Sequence, residues 1–369
     1  MPASWNSLKS VQFSGRSRCS IVEAPIFMAS FLSLFGYLRV RFRHQSGSYF
    51  WIPESVSVKL VPSFQNLAYI GGHMQKIILD TDIGDDIDDA LALTFAIMSG
   101  QFDILGVTTV FRDAEQRAEL ACCLLEALGR TDIPVYAGIG KTLLQSIPEW
   151  EQVAANHRPR QMEVLKRQQP SIQPMPGNAV DFIIDTVLAS DEDIILVPIG
   201  PFTNIAAAFT LEPRLAQKTQ IVMMGGATDR VRPEWNALCD PEATRVLFGT
   251  GVPITMVGLD VTTKCVMSYD QVKAIGSVDR PINQICFELI HLWGGDNPEP
   301  RPTLHDPLAV ATILDSTLCE IREMRIEVET RADHLRGATV PVAGAPNASV
   351  CTSVDATRFM DDFVKTLTA

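Results

Sequence analysis

The sequence predicts one α/β domain over residues 75–369, with a mostly parallel central sheet flanked by helices. Three observations predict it. Short, nearly continuous apolar runs alternate with helix-length runs from residue 75 onward, as expected for strands buried on both faces of a sheet. Polar clusters recur where strands should end, at 80–89, 109–113, 200–204, 225–236 and 260–263. In open parallel sheets such ends converge on one ligand crevice. The chain of 369 residues, 46% hydrophobic and 20% charged, is long and apolar enough to bury a large core.

The elements follow in order. KIIL (76–79) reads as a strand, and DDALALTFAIMSG (88–100) as a helix with acids in its first turn and Gly100 after it. DILGVTTVF (103–111) is the next strand. The helix 113–130 follows, with Asp113 and Gln116 at capping-box spacing. IPVYAG (133–138) is a short strand, and 140–178, rich in Pro, Gln and Arg, reads as an irregular excursion. Regularity resumes with a strand at 193–200, a helix at 203–211, a strand at 220–226 and a helix at 240–251. A strand at 253–263, helices at 269–276, 281–293 and after His305, two or three strands within 326–352, and a last helix at 356–367 complete the pattern.

The first 74 residues differ from the rest. Seven bases against Glu23 and Glu54 give them +5, so the net charge of -12 leaves -17 on the remainder. That acidic balance argues against a nucleic-acid partner. The apolar run at 24–38 is shorter than a membrane span of about twenty residues. Residues 1–74 therefore read first as an atypical extension ahead of an enzyme beginning near Met74. A targeting segment is the second reading and a membrane anchor the third. Eight scattered cysteines without a CxxC pair suit reduced thiols and a cytoplasmic location.

The densest feature is KIILDTDIGDDIDDALAL (76–93), with six aspartates between Asp80 and Asp89. Helix capping accounts for Asp88 and Asp89 but not for the other four. A phosphoryl-transfer Asp-x-Asp would normally be followed by Thr or Val, whereas Ile83 and Gly84 follow Asp82. Asp85, Asp86 and Asp89 satisfy the Asp-Asp-x-x-Asp of prenyl-chain enzymes, but that motif sits within helices of all-α proteins. A hard divalent cation explains the cluster best, because several oxygen ligands and a positive charge remove the mutual repulsion. Asp306 beside His305 supplies a further carboxylate and an acid/base partner.

DTDIGDDIDDALAL (80–93) resembles the N-terminal signature of the inosine-uridine-preferring nucleoside hydrolases. VTTVF (107–111), IPVYAG (133–138), PIGPFTNIA (198–206), IVMMGGA (221–227), PEWNALCDPEA (233–243), GLDVT (258–262) and LHDPLAV (304–310) resemble further blocks of that family, in its order. The resemblance covers 75–369 and none of 1–74. It implies the family's single-domain, Rossmann-like fold and hydrolysis of the N-glycosidic bond of ribonucleosides. It also implies a Ca2+ that binds the attacking water and two ribose hydroxyls. Asp82 would be the general base, with Asp80, Asp82, Asp86, Asp89, Thr203 and Asp306 around the metal and Asp88 as an additional ligand. Asp113, Asn204, Met223, Glu234 and Asn236 would hold the sugar. His305 would be the acid for the leaving base, with Trp235, His291 and Trp293 as base contacts. A homodimer or homotetramer is expected. The alternatives are a hydrolase of another N-ribosylated base, or a metal-binding but inactive member.

Three departures from the family pattern stand out. Ile83 replaces a Pro, and two additional residues precede the helix. The segment between MGGA and EWN is short, leaving an expected Asn without a counterpart. Arg112 occupies a position where Gly is usual.

Overall fold

The computed structural model describes residues 42–43, 49–50, 74–144 and 160–369. Contacts divide the chain into Met1–Asn66 and Leu67–Ala369. In the first unit the described residues are two antiparallel strands, Phe42–Arg43 and Tyr49–Phe50. The apolar run at 24–38 lies outside the described residues.

The larger unit is built on nine strands: β1 (Gln75–Thr81), β2 (Phe102–Thr109), β3 (Val135–Ala137), β4 (Ile194–Pro198), β5 (Thr219–Met224), β6 (Ile254–Val257), β7 (Cys319–Val328), β8 (Thr339–Val342) and β9 (Ala348–Val354). They form one sheet in the order β8-β7-β9-β6-β5-β4-β1-β2-β3. All neighbours are parallel except that β7 runs antiparallel to both β8 and β9. The interior strands are apolar throughout because both faces are covered; in β4 all five residues are buried.

The helices are α1 (Asp88–Met98), α2 (Ala114–Ala127), α3 (Glu163–Arg167), α4 (Ala179–Ala189), α5 (Thr203–Leu211), α6 (Trp235–Cys239), α7 (Pro241–Gly249), α8 (Leu259–Thr262), α9 (Tyr269–Gly276), α10 (Pro281–Gly294), α11 (His305–Leu314) and α12 (Ala356–Thr368). They make two layers. Residues of α1, α2, α10, α11 and α12 share one core with one face of the sheet. Residues of α4, α5 and α7 share the other. Among the described residues no helix is long and apolar enough to cross a membrane. The seven cysteines of the described residues are buried and unbridged.

The structure corrects four sequence expectations. The stretch 179–189 was not read as a helix, yet it forms α4, started by Asn178, whose side chain accepts from Val180 N at 2.8 Å. The run expected as one strand over 253–263 divides: β6 stops at Val257, Gly258 is extended, and Leu259 turns into α8 by donating its N–H to Gly226 O at 2.9 Å. The capping box expected from Asp113 and Gln116 does not form, because the Asp113 side chain makes no cap bond. The excursion at 140–178 carries the short helix α3.

The order reverses at β1. The chain moves from β1 outward through β2 and β3, then returns to place β4, β5 and β6 on the other side. The carboxyl ends of β1 and β4 therefore flank the point where a doubly wound sheet opens a crevice. Leu91, fully buried in α1, anchors the helix that lines this crevice. Leu91→Ala should lower stability by about 2–5 kcal/mol, read as an earlier denaturation midpoint with an unchanged slope.

Candidate active site

β1 ends in Asp80 and Thr81, paired to β2 at Thr108 and Thr109. Asp80 is fully buried. Its Oδ1 accepts from Thr108 Oγ1 at 2.6 Å and from Asn204 Nδ2 at 2.8 Å. Its Oδ2 is buried with no hydrogen-bond partner. An unmet buried carboxylate oxygen costs free energy unless a proton or a cation reaches it. Burial accordingly pushes the Asp80 carboxyl up to about 7.

The loop after β1 turns at Gly84, whose φ of +113° suits glycine, and delivers Asp88 and Asp89 to the start of α1. Carboxylate oxygens of Asp88, Asp89 and Asp306 lie within 4.8 Å of one another, and all three residues are buried. Asp306 N donates to Asp88 Oδ2 at 3.2 Å, tying the start of α11 to that of α1. The Thr81 hydroxyl donates to Asp89. Burial first, then the neighbouring carboxylates, hold Asp88, Asp89 and Asp306 well above the usual range. Asp82 is 4% exposed and is pushed up to about 7 by burial; Arg117 opposes the shift. Several buried carboxylates beside an unmet oxygen form a donor set suited to a hard divalent cation. The donors present fit the cation that the resemblance implied.

Asp86 stands outside this group. It is exposed, and its Oδ1 accepts from the backbone N–H of Ile87 at 2.7 Å. Asp88, which the sequence offered only as an additional ligand, takes the place beside Asp89. Asp85, left out of the expected ligand set, is drawn inward: its Oδ2 receives Arg117 Nη2 at 2.8 Å and lies 3.9 Å from Arg112 Nη1. Sequence reasoning did not single out Arg117. One signal marks it: Arg117 occupies the stripe of α2 formed by Ala114, Ala118 and Ala121, all buried. A charge on an apolar stripe demands a buried partner.

The residues expected to hold sugar divide. Glu234 is buried and caps α6, accepting from Asn236 N at 2.8 Å, Ala237 N at 3.1 Å and Gly226 N at 2.9 Å. Asn236 donates to Ile199 O at 2.7 Å and Met224 O at 3.2 Å. Asp260, also not singled out, braces the same region by accepting from Thr228 N, Thr228 Oγ1 and Asp229 N at 2.8–3.0 Å. Asn204 spends both amide hydrogens on Asp80 Oδ1 and Thr109 O, while its Oδ1 accepts from Ile139 N at 2.9 Å. It orients Asp80. Met223 is wholly buried in the core on the face of α4, α5 and α7, whereas Met224 lies beside Asn236. Asp113 is exposed at the start of α2.

Thr203 opens α5 and its hydroxyl donates to Asp240 at 2.7 Å. His305 opens α11, its Nδ1 2.7 Å from Thr262 Oγ1. Burial lowers its imidazole to about 4, so the ring is neutral at neutral pH. His291 lies in α10, with Nδ1 2.8 Å from Phe287 O and Nε2 3.4 Å from Tyr269 Oη. Trp293 packs against the core of α1 and α11, and Trp235 against Val110, Phe111 and Cys239.

A buried carboxylate cluster at the switch point of a doubly wound sheet marks a ligand crevice with an acidic site that could hold a metal ion. Residues 77–361 match the family described as inosine-uridine preferring nucleoside hydrolase, and the chain belongs to that family. A pyrimidine-specific ribonucleoside hydrolase of Shewanella sp. (strain MR-4) is 32% identical over 310 residues, covering 79% of this chain and 96% of that one. The corresponding protein of Escherichia coli (strain SMS-3-5 / SECEC) is 30% identical, covering 77% and 96%. Among solved structures, a purine-preferring ribonucleoside hydrolase from Gardnerella vaginalis superposes with a TM-score of 0.70 at 27% identity, covering 80% and 98%. A plant nucleoside hydrolase does so with 0.68 at 26%, covering 80% and 99%. The chain is an enzyme that hydrolyses the N-glycosidic bond of ribonucleosides.

The pH dependence follows from the raised carboxyls. Asp80 and Asp82 hold protons in the folded state up to about pH 7, against 3.8 for the ordinary group. The folded state therefore binds more protons than the unfolded one between about pH 4 and 7, and the cation-free protein loses stability as pH rises through that window. Melting of chelator-treated protein should fall from pH 5 to pH 8. Added Ca2+ should raise it most at pH 8.

Proposed function

We propose that the enzyme is Ca2+-dependent and that Asp82 is its general base. The observation that carries this reading is the meeting of Asp88, Asp89 and Asp306 within 4.8 Å, together with the unmet Oδ2 of Asp80. Asp80, Asp82, Asp88, Asp89 and Asp306 would hold the ion, with the Thr203 carbonyl as a further oxygen. A bound calcium ion supplies the Lewis acidity that polarises a water and orients the ribose diol.

The chain's own residues then do the following. The Asp82 carboxylate accepts a proton from the attacking water as the C–N bond breaks. Negative charge from the surrounding carboxylates favours the oxocarbenium-like ribosyl group. Glu234 and Asn236, at the start of the short helix α6, offer ribose hydroxyls a carboxylate and an amide oxygen as acceptors, because both Asn236 amide hydrogens are spent on Ile199 O and Met224 O, and Asp113 at the head of α2 adds a further acceptor. His305, held by Thr262, would act as the acid that hands a proton to the leaving base and would be reprotonated from solvent. The relatives include a pyrimidine-specific and a purine-preferring enzyme, and the substrate class they share is the ribonucleosides. We further propose that residues 75–369 form the catalytic domain, that 1–74 are an extension outside it, and that the enzyme is a cytoplasmic homodimer or homotetramer.

Full-length protein should release ribose from at least one of inosine, uridine, adenosine and cytidine, and a chelator should abolish the release. Absence of ribose from all four with Ca2+ present and the protein folded would sink this reading. Asp82→Asn should bind nucleoside while its kcat falls by about 10²–10⁴-fold, the range of a lost general base. An unchanged kcat would remove Asp82 from that role.

A further inference from the structure

Arg117 projects from the first turns of α2 and is 2% exposed. Its Nη1 donates to the backbone carbonyl of Asp82 and to that of Ile83 at 2.9 Å. Its Nε donates to Phe111 O at 2.8 Å, and its Nη2 to Asp85 Oδ2 at 2.8 Å. These acceptors belong to two different loops. Asp82, Ile83 and Asp85 follow β1; Phe111 follows β2. The second loop is held in an unusual backbone form, with Phe111 at φ 69° and Arg112 at φ 55°. Left-handed non-glycine residues persist only where the surroundings fix them. The first loop carries two residues more than the family pattern, and Asp85 falls within that lengthened stretch.

A planar guanidinium is suited to this task. It presents five donors in a rigid fork, and three carbonyls with one carboxylate occupy four of them here. An ammonium at the same site would keep the charge but could not span acceptors on both loops.

We propose that Arg117 is a positioning residue for hydrolysis: through Asp85 and the three carbonyls it locks the Asp82 loop to the Phe111–Asp113 loop and so sets the direction of the Asp82 carboxylate. This rests on the reading of Asp82 as the base. Arg117 acts through the backbone of Asp82. Displacing a base by about 1 Å costs on the order of 100-fold in rate while ribose contacts remain.

The test compares wild type with Arg117→Lys and Asp85→Asn, each at a Ca2+ level that saturates the wild type, with activity expressed per folded protein. Arg117→Lys should lose about 100-fold in kcat with KM changed only a few-fold. Asp85→Asn should lose less, because the three carbonyl bonds remain. Arg117→Ala supplied with free guanidinium ion should recover part of its kcat. Hydrogen exchange should rise together at residues 82–85 and 111–113 in Arg117→Lys. A folded Arg117→Lys with wild-type kcat, or a loss that only tracks unfolded protein, would overturn the proposal. Wild-type protein that releases no ribose defeats the hydrolase reading instead. In that case the concerted rise in exchange at both loops still decides whether Arg117 locks them.

Discussion

Crowding carboxylates inside a protein is the constraint around which this molecule is arranged. Asp80, Asp82, Asp88, Asp89 and Asp306 are all nearly excluded from water. Each ionised form is penalised by lost hydration, and proximity adds repulsion. Compensation comes from two sides. On one side Arg117 supplies a permanent internal cation, bonded to Asp85 and to the backbone of the loop that carries Asp82. On the other side Asp88, Asp89 and Asp306 face one another, and the Arg117 charge opposes only part of the upward shift at Asp89. The cluster is thus divided into a part that Arg117 neutralises and a part that could hold a metal ion.

The sheet makes this division. Because the strand order reverses at β1, the loop after β1 emerges between β2 and β4, and both neighbours contribute supports. Thr108 and Asn204 reach Asp80 from β2 and from the helix after β4. Gly200, just beyond β4, allows the closest approach: a Cβ there would stand 2.7 Å from Asp82 N. Any side chain at 200 would push the Asp82 loop away from the sheet. Helix α11 then closes the site from the opposite end of the chain, bringing Asp306 against Asp88. Residues more than 200 positions apart meet because α1 and α11 pack in the same layer.

Much of this was legible in sequence, for physical reasons. Buried parallel strands are apolar without alternation, so β1, β2, β4 and β5 were readable, and so was the convergence of their polar ends. The aspartate run pointed to a site that could hold a metal, because helix capping accounts for only two of its six carboxylates. What stayed hidden depended on three-dimensional partners. Spacing alone favoured Asp86 over Asp88, but the turn at Gly84 rotates Asp86 outward and Asp88 inward. Asn204 offers the same amide to a sugar or to a carboxylate, and only its place behind Asp80 decides between them. Helix α4 was obscured by the Pro- and Gln-rich stretch before it, although Asn178 is an ordinary cap. Arg117 left a trace, a charge on an apolar helix stripe, but its acceptors are mostly carbonyls, which no residue identity reveals.

Arg112 shows how such hidden bonds change the reading of a substitution. The sequence places Arg where the family pattern usually has Gly. The backbone at 112 keeps the left-handed form that glycine adopts freely. An arginine there carries strain, and that strain must be offset by bonds that leave the loop no alternative. The bonds are present: Phe111 N donates to Ile139 O at 2.9 Å, Arg112 N to Gly140 O at 2.7 Å, and Phe111 O receives Arg117. Gly140 in turn admits this approach, since a Cβ there would meet Arg112 O. The loop geometry is therefore set by its hydrogen-bonded surroundings rather than by the residue at 112. The Arg112 side chain places a charge 3.9 Å from Asp85.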